Sequence, residues 1–226
     1  MAHTPTVYIV ASDQHRNGKT LLARLLADYI MLDGRDPFMI DTDAPDGQLR
    51  NYFPGRTAVA DFAHMHGQMK LFDTILASPG RDYVVDLSSR HMEGFFRATS
   101  ELDFFAEVRR VGFRVILFFI VDRSVSSLKA AHAHEHIAGI DLFVPVINEF
   151  VGSNWHKADG AMFIPALPQA LAFSISDKRF SLRSFVLGEP QGLSEDLRPT
   201  LSSFIFDVLS NLGNLEPLIS LNSLKN

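Results

Sequence analysis

Apolar runs of strand length alternate with amphipathic segments of helix length along the chain. The apolar runs predict six strands, at residues 6–11, 38–41, 83–87, 114–121, 142–148 and 161–165. Several of these runs are apolar throughout, which is typical of a parallel sheet that is covered on both faces.

The first helix is predicted between the first two strands, at residues 20–32. Its apolar positions follow helical spacing, and Asp33 and Gly34 then provide a stop signal. Further helices are predicted at 95–111, 124–138 and 195–212, whereas 51–67 shows no regular pattern. The alternation of strands and helices predicts an α/β fold, a three-layer doubly wound and mostly parallel sheet.

No linker-like break interrupts this alternation, so residues 1–226 are interpreted as a single domain. The last stretch, 211–226, alternates leucine with asparagine, serine and proline. It is interpreted either as a flexible C-terminal tail or as a contact for a partner.

Composition excludes several classes of function. The chain has no cysteine, which excludes disulfides, thiolate metal sites and a cysteine nucleophile. The net charge of −5 argues against a nonspecific nucleic-acid coat. No signal peptide is visible, and the most apolar run, 115–121, is too short to span a bilayer, so a soluble cytoplasmic protein is expected.

The segment at 12–20, Ser-Asp-Gln-His-Arg-Asn-Gly-Lys-Thr, lies between the first strand and the first helix. Gly18, Lys19 and Thr20 fit the end of the phosphate-loop pattern Gly-x-x-x-x-Gly-Lys-Ser/Thr, but Asp13 stands where the first glycine belongs. In that pattern the lysine meets the β- and γ-phosphate oxygens, the hydroxyl holds Mg²⁺, and the helix N-terminus adds positive charge. The alternative is an ordinary strand–helix turn with an exposed lysine.

Carboxylates end two of the predicted strands. Asp41 and Asp43 flank one residue after the second strand, and Asp86 ends the third. Since ligands bind at the carboxyl ends of parallel strands, these acids are expected to converge with Thr20. They could hold Mg²⁺ or orient an attacking water; the alternative is that they are helix caps or turn formers.

With these features, the chain resembles the ParA/MinD family of P-loop ATPases, the group with a deviant phosphate loop. The resemblance runs from about residue 7 to 184 and includes the segment 41–45, the strand that ends at Asp86, the strand that ends at Asn148, and the stretch 164–168. Within the family, 148–150 and the overall layout look most like the ATPases encoded with plasmid conjugation and stability genes.

The resemblance implies a role for each matching residue, with ATP or ADP and Mg²⁺ as cofactors. Lys19 would neutralise phosphate charge, Thr20 would ligate Mg²⁺ and Asp86 would hold it through water. Asp41 would support the metal side, and Asp43 would position or activate the hydrolytic water. The nucleotide-binding residues would be Gln14, His15, Arg16, Asn17, Gly18, Lys19, Thr20 and Leu21, with Asn148 reading the base and Pro165 nearby.

The loop departs from the family pattern at the position of its signature lysine, which is Gln14 here, and at two glycines, which are His15 and Arg16. A neutral glutamine cannot stabilise transferred charge as lysine does. The hypothesis is that Arg16 or His15 takes over this role, in cis or across a dimer. The alternatives are slow hydrolysis and loss of nucleotide binding.

The function that follows is a nucleotide-gated switch, in which ATP promotes a homodimer that attaches to DNA or to a partition or conjugation protein. A metabolic enzyme of the dethiobiotin synthetase kind and an adaptor without turnover are the alternatives. The basic residues Lys178, Arg179 and Arg183 are a weak DNA-binding candidate, and a solvated face is favoured for them.

Overall fold

The computed structural model describes residues 3–155, 160–177 and 180–222. Within these ranges it has a sheet of seven strands, each parallel to its neighbours, in the order β3-β2-β4-β1-β5-β6-β7. The strands are β1 Thr6–Ala11, β2 Phe38–Asp41, β3 Thr57–Val59, β4 Tyr83–Asp86, β5 Arg114–Ile120, β6 Leu142–Asn148 and β7 Met162–Ile164.

Helices connect these strands. They are α1 Lys19–Leu32, α2 Leu49–Tyr52, α3 Met65–Leu76, α4 Met92–Glu101, α5 Phe104–Arg110, α6 Val125–His134, α7 Gln169–Ile175, α8 Leu182–Val186 and α9 Arg198–Asn222, the last preceded by a 3-10 turn at Glu195–Leu197.

The sheet is the middle of three layers, because successive side chains of its strands enter different cores. In β1, Tyr8 and Val10 pack into a core shared with α1, α7, α8 and α9. Val7 and Ile9 face the opposite side, in a core shared with α3, α4 and α5. Burial on both faces explains the continuous apolar runs, and the predicted three-layer, doubly wound fold is confirmed.

Several details of the predicted element pattern are wrong, and α3 at Met65–Leu76 was not predicted. The stretch 51–67 contains a short edge strand, β3, whose pattern is too brief to identify from sequence. The helix predicted at 95–111 is two helices, because Asp103 takes the left-handed conformation with φ 49° between α4 and α5. A non-glycine residue in that conformation interrupts the helical hydrogen bonds.

The last helix continues well beyond the predicted end at residue 212. The segment 211–222, for which a flexible tail or a partner contact is predicted, lies in α9. Leu212 and Leu215 are buried in the core beside α1. Residues 223–226 lie outside the described part of the chain, as do Lys178 and Arg179 of the candidate basic patch.

Across the described ranges, no helix combines the length and the apolar character needed to cross a membrane.

Candidate functional site

The candidate site lies where three adjacent strands end. In the sheet, β4 lies between β2 and β1, and the strand register pairs Asp41 and Val10 with Asp86. A cavity of about 540 Å³ opens at this edge. Its lining is polar and includes nine of the predicted site residues, with Gln48, Ser88 and Ser89 added: His15, Arg16, Gly18, Lys19, Thr20, Leu21, Asp41, Asp43 and Asp86.

Gly18 is the turning point of the loop between β1 and α1. It has φ +99°, a conformation that side chains disfavour, and a Cβ there would lie 2.6 Å from Nδ2 of Asn148. That same Nδ2 donates to the carbonyl of Asn17 at 2.9 Å, while Oδ1 of Asn148 accepts from the backbone N–H of Phe150. Asn148 therefore holds the loop from behind; its role in reading a base stays a prediction.

The loop supplies two kinds of hydrogen-bond donor, the Lys19 ammonium group and its backbone N–H groups. Lys19 is nearly buried, and its Nζ donates to the carbonyl of Gln14 at 2.5 Å and lies 3.4 Å from Oδ1 of Asn17. None of the backbone N–H groups from His15 to Leu21 has an acceptor within the described parts of the chain. Unpaired N–H groups at a helix start, together with an ammonium group, form an anion-binding arrangement.

Burial also changes the ionisation of Lys19. Desolvation lowers its pKa, and this outweighs the opposing effect of the carboxylates Asp86, Asp43 and Asp13. A bound anion would therefore stabilise the charged form of Lys19, which burial disfavours.

Arg16 takes the left-handed conformation, with φ +56°, at a position where the resembled family has glycine. The loop thus keeps a glycine-like shape without the glycine. The Arg16 side chain is exposed at the cavity, and it forms no ion pair with any residue of the described ranges. His15 is hydrogen-bonded through Nδ1 to the Ser89 hydroxyl at 2.9 Å, so that this contact bridges two walls of the cavity.

Four predicted site residues are absent from the cavity lining: Asn148, described above, and Gln14, Asn17 and Pro165. Gln14 turns away, and its Nε2 donates to Asp13 at 2.8 Å and to Ser126 at 3.2 Å. The Asn17 amide donates to the Ser12 hydroxyl. Pro165 directly follows β7 and is absent from the cavity lining.

A hydroxyl and a buried carboxylate form the candidate metal position. Oγ1 of Thr20 donates to Oδ2 of Asp86 at 2.6 Å, and Asp86 is only 5% exposed. Burial first, and then the charge of Asp41, raise the pKa of Asp86 to about 7, against the opposing effects of Thr20 and Lys19. Because burial disfavours the ionised form of Asp86, a proton or a nearby cation would stabilise this carboxyl group. The oxygens of Thr20 and Asp86 are ligands of the kind that Mg²⁺ prefers.

Asp41 is held by the backbone of the segment that follows β2. Its Oδ1 and Oδ2 accept from the N–H groups of Asp43 and Leu49, both at 2.9 Å. Burial raises its pKa by more than these hydrogen bonds lower it. Asp41 therefore shapes the wall on which Asp43 is presented, and its predicted support of the metal would act from this position.

Asp43 projects into the cavity and pairs with a guanidinium group. Its Oδ1 accepts from Arg90 and lies 3.3 Å from the Ser88 hydroxyl. Partial burial raises the pKa of Asp43, but the hydrogen bond and charge of Arg90 outweigh this effect and lower it overall. Asp43 is therefore an ionised carboxylate that is already paired.

The chain matches no model of a known protein family and no curated protein sequence. Among solved structures it is similar to the MinD cell division protein of Aquifex aeolicus, with 19% identity, a TM-score of 0.50, and coverage of 92% of this chain and 97% of that chain. The fold is MinD-like. The chain is also similar to chloroplast FtsY from Physcomitrella patens, with 17% identity, a TM-score of 0.41, and coverage of 65% of this chain and 51% of that chain.

The MinD-like fold brings residues into the site that the sequence analysis missed. Ser88 and Ser89 line the cavity just after β4, and Gln48 does so just before α2. Arg90 joins the site through its contact with Asp43. A signal for Arg90 was present, since it lies four residues after Asp86 at the same edge of the sheet. Its pairing with Asp43 depends on the β2–β4 neighbourhood, which no local pattern reveals.

Proposed function

We propose that this chain binds an adenine nucleotide with Mg²⁺ in the cavity and hydrolyses ATP slowly. The observation that carries the proposal is the start of α1, where the nearly buried Lys19 ends a loop whose backbone N–H groups, from His15 to Leu21, have no acceptor within the described ranges. Free N–H groups beside an ammonium group at a helix start have the chemistry of a polyphosphate site.

Each residue then has a role. Lys19 neutralises charge on the β- and γ-phosphates, and the loop N–H groups fix their position. Thr20 and Asp86 hold the metal ion, which when bound neutralises phosphate charge. Asp43 accepts a hydrogen bond from the attacking water and orients it, provided that its pairing with Arg90 is relaxed. In this proposal Asn148 reads the base and Pro165 lies near it.

Slow hydrolysis is expected because the loop has a neutral residue, Gln14, at the position of the family's signature lysine. Gln14 is neutral and turned toward Ser126, so it supplies nothing to the transferred phosphoryl group. Arg16 is an exposed cation at the mouth of the cavity, and in our proposal it provides this charge, in cis or from a second copy of the chain.

Turnover of Arg16→Ala tests this role. We expect ATP hydrolysis to fall by about tenfold or more, in the range of arginine contributions to phosphoryl transfer. Arg97→Ala, which removes an exposed arginine from α4, is the matched control and should leave the rate unchanged. Equal rates for wild type and Arg16→Ala would remove Arg16 from the mechanism.

We further propose that the nucleotide acts as a switch, with ATP favouring a homodimer that attaches to DNA or to a partition, conjugation or protein-positioning partner. Light scattering with a non-hydrolysable ATP analogue should show twice the mass found with ADP. An unchanged mass would contradict the dimer, and stimulation of turnover by a small metabolite would favour the metabolic enzyme instead.

A further inference from the structure

Arg90 holds the carboxylate that the proposed hydrolysis needs. One of its guanidinium nitrogens donates to Oδ1 of Asp43, the same oxygen that the Ser88 hydroxyl approaches at 3.3 Å. Arg90 has no other ion pair within the described ranges. In this state Oδ1 of Asp43 is engaged by two donors.

The ion pair between Arg90 and Asp43 can be replaced by other partners. The side chains of Arg90 and Asp43 are 57% and 48% exposed, so solvent competes for both groups. Ion pairs with this exposure contribute little to stability. A stronger anion beside Arg90 would therefore displace Asp43 at small cost.

The cavity places such an anion within reach. Asp43, Ser88 and Ser89 line the same cavity as Lys19. Arg90 follows Ser89 in the chain and reaches the cavity through its contact with Asp43. The terminal phosphate of a triphosphate has more negative charge than a carboxylate, and its oxygens match the planar fork of a guanidinium group. A diphosphate lacks this terminal group.

We propose that Arg90 distinguishes triphosphate from diphosphate, pairing with Asp43 when no terminal phosphate is present and moving to that phosphate when it arrives. The inference rests on the proposed nucleotide site. One residue would then couple two events, because the move that recognises the triphosphate frees Oδ1 of Asp43 to accept a hydrogen bond from water.

The segment around Arg90 can transmit this change to a helix. His91 follows Arg90, and its Nδ1 lies 2.9 Å from the carbonyl of Thr42, while α4 begins at the next residue. The Ser88 N–H also donates to Oγ1 of Thr42 at 2.8 Å. Movement of Arg90 would thus act on the junction between β2, β4 and α4.

Calorimetry with Mg²⁺ and either a non-hydrolysable ATP analogue or ADP tests the inference. Arg90→Gln should weaken binding of the triphosphate by about tenfold, the value of a lost charged hydrogen bond, and change ADP affinity by less than twofold. Arg90→Lys should recover part of the loss. The exposed Arg97→Gln of α4 is the matched control and should leave both affinities unchanged.

A double-mutant cycle with Asp43→Asn isolates the exchange. Asp43→Asn frees Arg90 and should strengthen triphosphate binding severalfold, but the gain should shrink when Arg90→Gln is also present. Retained ADP binding shows that each variant is folded.

Two results would overturn the inference while leaving the proposed site intact: equal losses for triphosphate and ADP, or no loss for either in Arg90→Gln. If the wild-type chain binds neither nucleotide, the proposed function itself is wrong, and the role of Arg90 is excluded with it.

Discussion

Two charged side chains of the cavity, Lys19 and Asp86, ionise less readily than they would in water. Burial lowers the pKa of Lys19 and raises that of Asp86 to about 7. Both shifts arise because burial removes the hydration of the charged groups, and the attraction between Lys19 and Asp86 offsets only part of that loss. Such a site favours binding of both an anion and a cation, since each restores an ionised state that burial disfavours.

The raised pKa of Asp86 predicts a pH-dependent cost to stability. Because the folded state binds the proton more tightly than the unfolded chain, stability is unaffected below about pH 4, falls as the pH rises toward 7, and is constant above. Asp86→Asn keeps an acceptor for Thr20 and removes this cost. Without nucleotide or metal, it should exceed wild type by on the order of 2 kcal/mol at pH 8 and by much less at pH 4.5.

Urea unfolding at the two pH values measures this difference. Asp207→Asn, an exposed position on α9, is the control and should show no comparable trend. A stability difference between Asp86→Asn and wild type that does not grow with pH would contradict the assignment of a raised pKa to Asp86.

The close approach of Gly18 to Asn148 gives a second prediction. Gly18→Ala adds both left-handed strain and a collision, with a Cβ 2.6 Å from the Asn148 amide, whereas Gly80→Ala has φ +101° but open space around the Cβ. We expect Gly80→Ala to cost about 1 kcal/mol and Gly18→Ala to cost at least 1 kcal/mol more. Equal losses in thermal or urea unfolding would show that Asn148 does not confine the loop.

At the scale of elements, an aromatic cluster joins α3, α4 and α5 to the sheet. The sequence contains 19 phenylalanines, and Phe95 in α4 contacts the rings of Phe62, Phe72 and Phe105. Phe95 is 1% exposed, whereas Phe206 on α9 is 71% exposed. The first therefore belongs to the core.

Phe95→Ala should lower the free energy of unfolding by about 3–5 kcal/mol, the cost of a cavity in a packed aromatic core. Phe206→Ala is the matched substitution on a solvent-facing side and should change it by less than about 0.5 kcal/mol. Denaturant unfolding of the two variants checks the difference; similar values would contradict the assignment of α4 to the core.

Substitution of two leucines near the end of α9 tests whether this segment packs against the core. Both lie in the segment for which a flexible tail or a partner contact is predicted. Leu212 is 3% exposed against the core, and Leu218 is 39% exposed. Leu212→Ala should destabilise the chain by about 2–4 kcal/mol, and Leu218→Ala by less than about 1 kcal/mol. A mobile end would instead make both substitutions silent in an unfolding experiment.

Element prediction succeeded for the central strands, but it missed α3, β3, the break at Asp103 and the extension of α9. The central strands, buried on both faces, appear in the sequence as continuous apolar runs. The break at Asp103 depends on one left-handed residue inside a continuous apolar pattern, and β3 spans only Thr57–Val59. The α9 extension was missed because its alternating leucines and asparagines resemble a loop.

At the scale of the whole molecule, the strand order explains which site residues could be found from sequence. Lys19, Thr20 and Asp86 lie at strand or helix ends with a recognisable spacing, and convergence of parallel strand ends brings them together. The Arg90–Asp43 pair and the contact of Asn148 with the loop join segments that are distant in the chain. Such pairings follow from sheet order, which no local pattern contains.

In our proposal the loop ending at Thr20 wraps a polyphosphate without its usual glycines. Isothermal titration of the purified chain with Mg²⁺ and a non-hydrolysable ATP analogue tests this binding. We expect saturable binding that Lys19→Ala weakens by at least about tenfold and that Lys70→Ala, an exposed lysine of α3, leaves unchanged. Absence of heat with wild type, or equal binding by wild type and Lys19→Ala, would contradict it.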